Sequence, residues 1–271
     1  MKKLLLLLLC VPLIGFGQLT YIPDDDFEAY LESNGMGDGI AFNDSVLTSA
    51  IDTVTILDLS TVVFLTSLSF TDLTGIEDFT NLTDLNCGNQ LTTLDVSNNT
   101  ALIKLYCVGN HLITLDISKN TALQTLNCYG NQLTNLDVSK NTSLEVLECG
   151  GNQLTTLDVR QNTALIGLYC SDNQLTNLDV SNNTALSKLQ CYGNQLTNLD
   201  VSKNTALDYL SCSDNQLTNL DVSNNTALIK LSCKNNNLTS LDLSNNTALN
   251  YIWCSGNKFD CDALKEKMGL D

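Results

Sequence analysis

Residues 186–206 read Leu-Ser-Lys-Leu-Gln-Cys-Tyr-Gly-Asn-Gln-Leu-Thr-Asn-Leu-Asp-Val-Ser-Lys-Asn-Thr-Ala, and variants of this segment recur along most of the chain. Its cysteine marks the period, because the first step between equivalent cysteines is 20 residues and every later step is 21. The nine cysteines are Cys87, Cys107, Cys128, Cys149, Cys170, Cys191, Cys212, Cys233 and Cys254. A fixed period of about 20 to 50 residues predicts a solenoid rather than an ordinary globular core.

Each unit holds two short extended pieces, Leu-x-x-Leu-x-Cys-x-x-Asn and Leu-Thr-x-Leu-Asp-Val-Ser-x-Asn. In both, apolar and polar residues alternate over the length of a strand and then reach an asparagine turn. We therefore expect one coil per unit, with strands on opposite sides and neighbouring coils stacked about 4.8 Å apart. A coiled coil is excluded because the units are rich in Asn, Thr and Asp and lack charged flanks.

The segment Leu-x-x-Leu-x-Cys-x-x-Asn-x-Leu resembles the signature of leucine-rich repeats, and the doubled unit is similar to the short 21-residue class of bacterial repeats. Residues 21–28 and 73–79 resemble the N-terminal caps of exported, internalin-like proteins of Bacteroidota. The resemblance implies a right-handed leucine-rich-repeat solenoid with helical N- and C-terminal caps. It places parallel β strands on the concave side and short extended segments on the convex side. Such repeats serve many kinds of binding.

The sequence divides into four parts. They are a signal peptide at 1–17, an N-terminal cap and irregular entry repeat at 18–81, an array of about nine units at 82–257, and a C-terminal cap helix at 258–271. We expect a helix after Pro23, with Asp24 or Asp25 as its N-cap. A second helix is expected at the C-terminal end of the chain, capped by Asp260 and ended by Gly269.

The first residues predict export. Two lysines precede an apolar run from Leu4 to Phe16, and Gly15 and Gly17 are the small residues that signal peptidase accepts. The alternative is a lipoprotein anchored at Cys10. No second hydrophobic run follows, so no membrane insertion of the mature chain is expected. The location is then secreted or at the cell surface, with the periplasm as a further possibility.

The charge balance excludes two classes of partner. Residues 18–271 hold 11 basic and 30 acidic side chains, a formal charge of −19. Nucleic acids and anionic membranes both need a basic face, so neither is an expected partner. The oligomeric state cannot be read from composition.

The cysteine ladder has three possible interpretations. Thiols in an exported protein first indicate disulfides. Metal sites are the second reading, but no Cys-x-x-Cys pair and only one histidine are present. Because each cysteine is in register with inward leucines, we expect buried, unpaired thiols. Cys261 could lie above Cys254, and a disulfide between these two remains open.

Three polar ladders accompany the cysteines. Two asparagine series are expected to satisfy backbone groups where the coil turns. They are Asn89, Asn110, Asn131, Asn152, Asn173, Asn194, Asn215, Asn236 and Asn257, and Asn99, Asn120, Asn141, Asn162, Asn183, Asn204, Asn225 and Asn246. An aspartate series should stack on the outer surface, and like charges so close should raise one another's pKa. It comprises Asp95, Asp116, Asp137, Asp158, Asp179, Asp200, Asp221 and Asp242.

Calcium is a weak alternative to hydrogen bonding for these carboxylates, since one aspartate per coil supplies few ligands. In the N-terminal cap, Asp24, Asp26 and Asp38 are weak calcium candidates that lack EF-hand spacing. No other metal or cofactor is expected.

The outward positions around each cysteine vary from unit to unit, whereas the Leu-Asp-Val-Ser side hardly changes. Six of the eight tyrosines and the single tryptophan lie at these variable positions. Tyrosine and tryptophan supply contact area with few torsions to freeze, so we expect a face that binds a protein or a glycan. The alternative is that residues at these solvent-exposed positions vary without any functional constraint. The predicted binding residues are Lys104, Tyr106, Tyr129, Glu148, Tyr169, Lys188, Gln190, Tyr192, Tyr209, Lys230, Tyr251 and Trp253.

No catalytic set is visible in the sequence. His111 is the only histidine, so neither a triad nor a histidine metal site can be built, and no glycine-rich phosphate loop is present. We expect a non-catalytic adhesion or recognition module. The alternative is a structural spacer or matrix component without a specific ligand.

Overall fold

The computed structural model describes residues 17–60, 69–88 and 90–269. The predicted signal peptide, except for Gly17, and Asn89 of the first asparagine ladder lie outside the described residues. The described part is dominated by one parallel sheet of ten strands, each three residues long, in strict chain order. The strands are β3 (Ile56–Asp58), β4 (Asp84–Asn86), β5 (Lys104–Tyr106), β6 (Thr125–Asn127), β7 (Val146–Glu148), β8 (Gly167–Tyr169), β9 (Lys188–Gln190), β10 (Tyr209–Ser211), β11 (Lys230–Ser232) and β12 (Tyr251–Trp253).

Every strand pairs with the equivalent strand of the next coil without a shift in register. Leu210 of β10, for example, pairs with Leu189 on one side and Leu231 on the other. The central residue of each strand is buried, and most of the two flanking residues are partly or fully exposed. Since side chains alternate across a strand, this register keeps all leucines inside and all variable residues outside. The chain therefore folds as a leucine-rich-repeat solenoid.

The interpretation of Leu-Asp-Val-Ser as a second strand is wrong for the described coils. This segment is extended but has no strand ladder. The backbone N–H of Ser202 donates to Oδ1 of Asp200 instead of to a neighbouring coil (2.9 Å). The chain then turns, since the N–H of Asn204 donates to the carbonyl of Val201 (3.0 Å). An aspartate that captures the N–H two residues later forms an Asx turn, which competes with sheet pairing.

The core is one continuous column of leucine, valine and cysteine side chains. The eight cysteines from Cys87 to Cys233 are buried and free. Burial raises the pKa of Cys87 and of Cys170 to about 12. Cys254 leaves the ladder, because it forms a disulfide with Cys261 across a Cα–Cα distance of 5.6 Å. The eight free thiols therefore behave as small apolar side chains.

The asparagine ladders lie at the two turns of each coil. Nδ2 of Asn152 donates to the carbonyls of Cys128 (3.0 Å) and Cys149 (3.1 Å), while its Oδ1 accepts from the N–H of Leu133 (2.9 Å). Nδ2 of Asn162 donates to two carbonyls in the same way, but its Oδ1 has no hydrogen-bond partner. Each amide thus satisfies backbone carbonyls that the turn would otherwise leave unpaired.

The N-terminal end is closed by a small subassembly. Strand β1 (Leu19–Tyr21) pairs antiparallel with β2 (Ser45–Leu47), and helices α1 (Asp25–Ser33) and α2 (Thr48–Ile51) pack beside them. The chain passes directly from β2 into α2, with Val46 in the strand and Ile51 in the helix. Asp24 is the N-cap of α1, with Oδ1 accepting from the N–H of Phe27 (3.0 Å). A 3₁₀ turn at Ile76–Asp78 leads into the array.

The C-terminal end is closed by helix α3 (Cys261–Met268). Oδ1 of Asp260 caps it by accepting from the N–H groups of Asp262 and Ala263, both at 3.0 Å. Gly269 ends it in the left-handed conformation, at φ 66°. Among the described residues, no helix is long and apolar enough to cross a membrane.

Candidate binding face

The outward residues of strands β4 to β12, together with the residue after each cysteine, form one surface that we call the strand face. All twelve residues predicted to bind belong to it. The more exposed members are Lys104, Tyr129, Lys188, Lys230, Tyr251 and Trp253, and the half-buried members are Tyr106, Glu148, Tyr169, Gln190, Tyr192 and Tyr209. In-register pairing brings these residues into columns with one member per coil, about 4.8 Å apart.

The N-terminal part of the strand face is largely self-paired. Nζ of Lys104 lies 2.9 Å from Oδ1 of Asp84. Nδ2 of Asn127 donates to Oε2 of Glu148 at 2.7 Å. Burial nevertheless raises the pKa of the Glu148 carboxyl. Charges and donors that already have partners gain less from a ligand, so this part offers mainly shape.

The C-terminal part of the strand face contains a pocket of about 440 Å³, which we call the aromatic pocket. It extends from β8 to β12 and is lined by Tyr169, Lys188, Gln190, Asp208, Tyr209, Ile229, Lys230 and Trp253. Six of these eight residues were predicted from sequence. Asp208 and Ile229 were not predicted; each lies one residue before its strand, in a position that also varies between units.

A glycine shapes one wall of the aromatic pocket. A β-carbon at Gly167 would lie 2.9 Å from Cε2 of Tyr169, so this glycine makes room for the tyrosine ring to lie over its own strand. Burial raises the pKa of the Tyr169 hydroxyl, and the carboxylates of Glu148 and Asp208 add to the shift. The ring is therefore held in place while its hydroxyl stays protonated at neutral pH.

At the opposite end of the aromatic pocket, the ring of Trp253 stacks on that of Tyr251, which lies just outside the lining. The rings of Tyr251 and Trp253 are nearly parallel, at 11°, with centroids 6.2 Å apart. Nζ of Lys230 lies 5.5 Å from the centroid of Tyr251, a cation–π distance. Tyr251 and Trp253 are both exposed, with 52% and 44% of their surface accessible. Such a large exposed aromatic surface is typical of a binding site.

The opposite side of the solenoid is uniform and acidic. Neighbouring aspartates do raise one another's pKa, as expected, but hydrogen bonds outweigh this repulsion and the net pKa is lowered. The backbone N–H of Ser118 holds the pKa of Asp116 below its ordinary value, and the guanidinium of Arg160 lowers that of Asp158 to about 2. The pKa is likewise lowered at Asp95, Asp137, Asp179, Asp200 and Asp221.

The weak calcium candidates of the N-terminal cap are engaged in hydrogen bonds. Asp24 accepts from Phe27 and Thr71, Asp26 accepts from the N–H of Ser69, and Asp38 accepts from Ile40 and Asn43. Within the described ranges, the carboxylates that do converge are those of Asp25, Glu28 and Asp44. The carboxylate of Glu28 accepts from the backbone N–H groups of Asn43 and Asp44, so Glu28 holds this loop against α1.

His111 is exposed and lies beside a glutamine of the next coil. Its Nδ1 lies 3.4 Å from Nε2 of Gln132, on the exposed glutamine column that follows the first asparagine ladder. Neither side chain lines the aromatic pocket.

The comparisons with known proteins agree with this architecture. A family model of leucine-rich repeats (two copies) matches residues 121–162. The functional domain of InlJ from Listeria monocytogenes, which includes a cysteine ladder, is 35% identical at a TM-score of 0.53. That match covers 89% of this chain and 62% of the InlJ domain, so the chain spans less than two thirds of that relative. No curated protein sequence matches the chain.

Two further solved structures share the fold. A leucine-rich-repeat protein of Leptospira interrogans is 24% identical at a TM-score of 0.61, over 73% of this chain and 62% of that one. The internalin InlF of Listeria monocytogenes is 21% identical at a TM-score of 0.50, and the match covers 93% of this chain and 95% of InlF. The class is therefore that of leucine-rich-repeat solenoids. Within that class, the chain is similar to the functional domain of InlJ.

Proposed function

We propose that this chain is a non-catalytic recognition module that binds a protein or glycan ligand through its strand face. The observation that carries the proposal is the contrast between two sides of one repeat. The Leu-Asp-Val-Ser side is nearly the same in every coil, whereas the strand face changes from coil to coil and holds the aromatic residues. The concave side of a solenoid is an extended surface well suited to binding.

Exposed aromatics favour binding over free drift. Drift alone would place aromatic side chains on both sides, but within the described part of the array the large exposed aromatics, Tyr129, Tyr251 and Trp253, lie on the strand face. The large apolar residue exposed on the other side, Ile113, is aliphatic. Each of the three aromatics is held by packing or by a neighbouring ring, so little side-chain entropy is lost when a ligand binds. The proposal includes export to the cell surface or the medium, as the apolar N-terminal run and the resemblance to exported Bacteroidota proteins of the 21-residue class imply.

The second candidate is a structural spacer. The uniform acidic side favours it, since a regular, highly charged solenoid keeps molecules apart without specific contacts. We place it second because a spacer needs no variable aromatic face.

The test is capture of partners from the native surroundings with residues 18–271 as bait. Three strand-face residues, Tyr106, Tyr169 and Trp253, are changed to Ala in one variant. In a matched control, three exposed residues of the other side, Asn135, Asn177 and Asn219, are changed to Ala. We expect the strand-face variant to capture roughly tenfold less partner, or even less, and the control to capture as much as the unmodified bait.

Two outcomes would count against the proposal. A partner that survives the strand-face variant but is lost from the control would move the binding site to the opposite side. Absence of any partner with the unmodified bait would favour the spacer.

A further inference from the structure

We infer that the aromatic pocket binds an acidic polysaccharide that carries one carboxylate per two sugars. The inference rests on the proposed function of the strand face and names the ligand class of one part of it. It begins with the first outward residue of the last four strands, which alternates as Lys188, Tyr209, Lys230 and Tyr251.

The in-register pairing turns this alternation into a regular array. Lys188 pairs with Tyr209, Tyr209 with Lys230, and Lys230 with Tyr251. Adjacent members are one coil apart, so the two ammonium groups repeat at about twice 4.8 Å, and so do the two tyrosine rings. The column is thus a surface with a two-coil period of cation and ring.

The two lysines have no ionic partner in the described part of the chain. Lys104, at the equivalent position of β5, is paired with Asp84. Lys188 and Lys230 are both exposed and form no such pair, and Nζ of Lys230 lies over the Tyr251 ring. With Asp208 included, the aromatic pocket carries a formal charge of +1 in a protein whose overall charge is strongly negative. A local positive site of this kind selects an anion.

The second outward residue of these strands leaves space over the column. Gln190 and Trp253 bound a stretch where β10 and β11 carry only Ser211 and Ser232. Ser211 is buried, and Ser232 Oγ lies 2.7 Å from Ser213 Oγ. Small hydroxyl side chains therefore lie between Gln190 and Trp253, beside the residues that line the aromatic pocket.

A polysaccharide matches these features together. A pyranose ring is of similar length to the spacing between coils, so successive sugars of a 1,4-linked chain can lie over successive coils. A chain that alternates an acidic and a neutral sugar would set each carboxylate against a lysine and each neutral ring against a tyrosine. Gln190 and Asp208 of the aromatic pocket supply the donors and acceptors that sugar hydroxyl groups need. An acidic peptide is the other possible anion, but its alternating side chains repeat at about 6.7 Å, twice the ~3.3 Å rise of an extended residue, which does not match the array.

The test uses residues 18–271 and three defined probes in titration calorimetry. The probes are a hexasaccharide of alternating glucuronate and N-acetylglucosamine, the neutral hexasaccharide of N-acetylglucosamine alone, and a hexapeptide of alternating Glu and Tyr. We expect the acidic hexasaccharide to bind roughly tenfold more tightly than either other probe, and its affinity to fall with salt.

Variants locate the binding. Lys188→Gln and Lys230→Gln should each lower the affinity for the acidic hexasaccharide by roughly fivefold or more. The matched control is Lys203→Gln, which removes the same charge from an exposed lysine on the opposite side and should change nothing. Tyr209→Ala should weaken the acidic and the neutral hexasaccharide alike. Circular dichroism verifies that each variant is folded.

Several results would overturn the inference. They are tighter binding of the peptide than of the acidic sugar, no binding of the sugar at all, or equal losses for Lys203→Gln and Lys230→Gln. The capture experiment with the strand-face variant separates these failures from the proposed function. If that variant loses a protein partner while the sugars do not bind, the recognition role stands and only the ligand class is wrong.

Discussion

At the residue scale, the cysteines are defined by what surrounds them. Each thiol is enclosed by leucine and valine of its own and neighbouring coils, so its ionised form is strongly disfavoured. Burial raises the pKa of Cys87, Cys170 and Cys233 to about 12. Reactive thiols require the opposite environment, with a positive charge and solvent access. The ladder is therefore a structural element and not a redox centre.

The thiols predict a loss of stability in alkali. A thiol in the unfolded chain ionises near pH 8.5, whereas the folded thiol stays neutral until about pH 12. The stabilisation is therefore complete below about pH 8.5 and decreases as the pH rises towards 12, by about 1.4 kcal/mol per pH unit for each thiol. Urea unfolding at pH 7 to 10 under reducing conditions measures this slope. Cys170→Ala should reduce the slope by one thiol, and an unchanged slope would contradict the assignment.

The two asparagine ladders should differ in their contribution to stability. Asn152→Ala removes two donors to carbonyls and also strands the N–H of Leu133, whereas Asn162→Ala removes two donors and an oxygen that had no partner. Since an unsatisfied buried group costs about 1 to 3 kcal/mol, Asn152→Ala should be the more destabilising by about 1 kcal/mol or more. Chemical denaturation of the two variants gives the comparison. Equal losses would show that the carbonyl contacts alone matter.

At the scale of the elements, the sequence predicts one side of the coil better than the other. Alternation around the cysteines correctly predicts the strands, because their inward leucines pair in register. The Leu-Asp-Val-Ser segment alternates equally well but forms no strand. A strand does not form there because the short side chain of Asp200 accepts the hydrogen bond from the N–H of Ser202. Periodicity records which residues are buried, and it does not record which backbone groups find a side-chain partner.

On the strand face, too, alternation predicts exposure but not the contacts that each side chain makes. Alternation places all twelve candidates outside, but it cannot tell which of them have partners. Lys104 and Lys230 hold equivalent positions in their units, yet one is neutralised by Asp84 and the other lies over Tyr251. The difference depends on the residue contributed by the preceding or the following coil. It follows from register, so it could be derived once the strands were aligned.

At the scale of the whole molecule, charge is distributed unevenly along the axis. Residues 18–103 hold 14 acidic side chains and no lysine or arginine, whereas residues 104–271 hold 16 acidic and 11 basic ones. Every basic side chain of residues 18–271 therefore lies in the part that also contains the aromatic pocket. The −19 balance thus describes mainly the N-terminal third. An anionic ligand would be repelled by that end and directed to the other.

Because each coil contacts only its neighbours, one coil can be removed without loss of the fold. Deletion of residues 121–141 joins Asn120 to Thr142 in the normal order of a unit, and deletion of 205–225 joins Asn204 to Thr226 in the same way. Each removes 21 residues of similar composition. Both proteins should fold cooperatively, with a denaturant m-value lower by roughly 8%, in proportion to the lost surface.

Binding should separate the two deletions. The first leaves β8 to β12 intact and should keep the affinity for the acidic hexasaccharide, whereas the second removes Tyr209 and brings Lys188 beside Lys230. The two-coil period of cation and ring is then lost although both lysines remain, and affinity should fall by roughly tenfold. Equal affinity in both deletions would mean that the lysines bind as isolated charges. Loss in both would mean that the ligand extends beyond the aromatic pocket into the N-terminal coils.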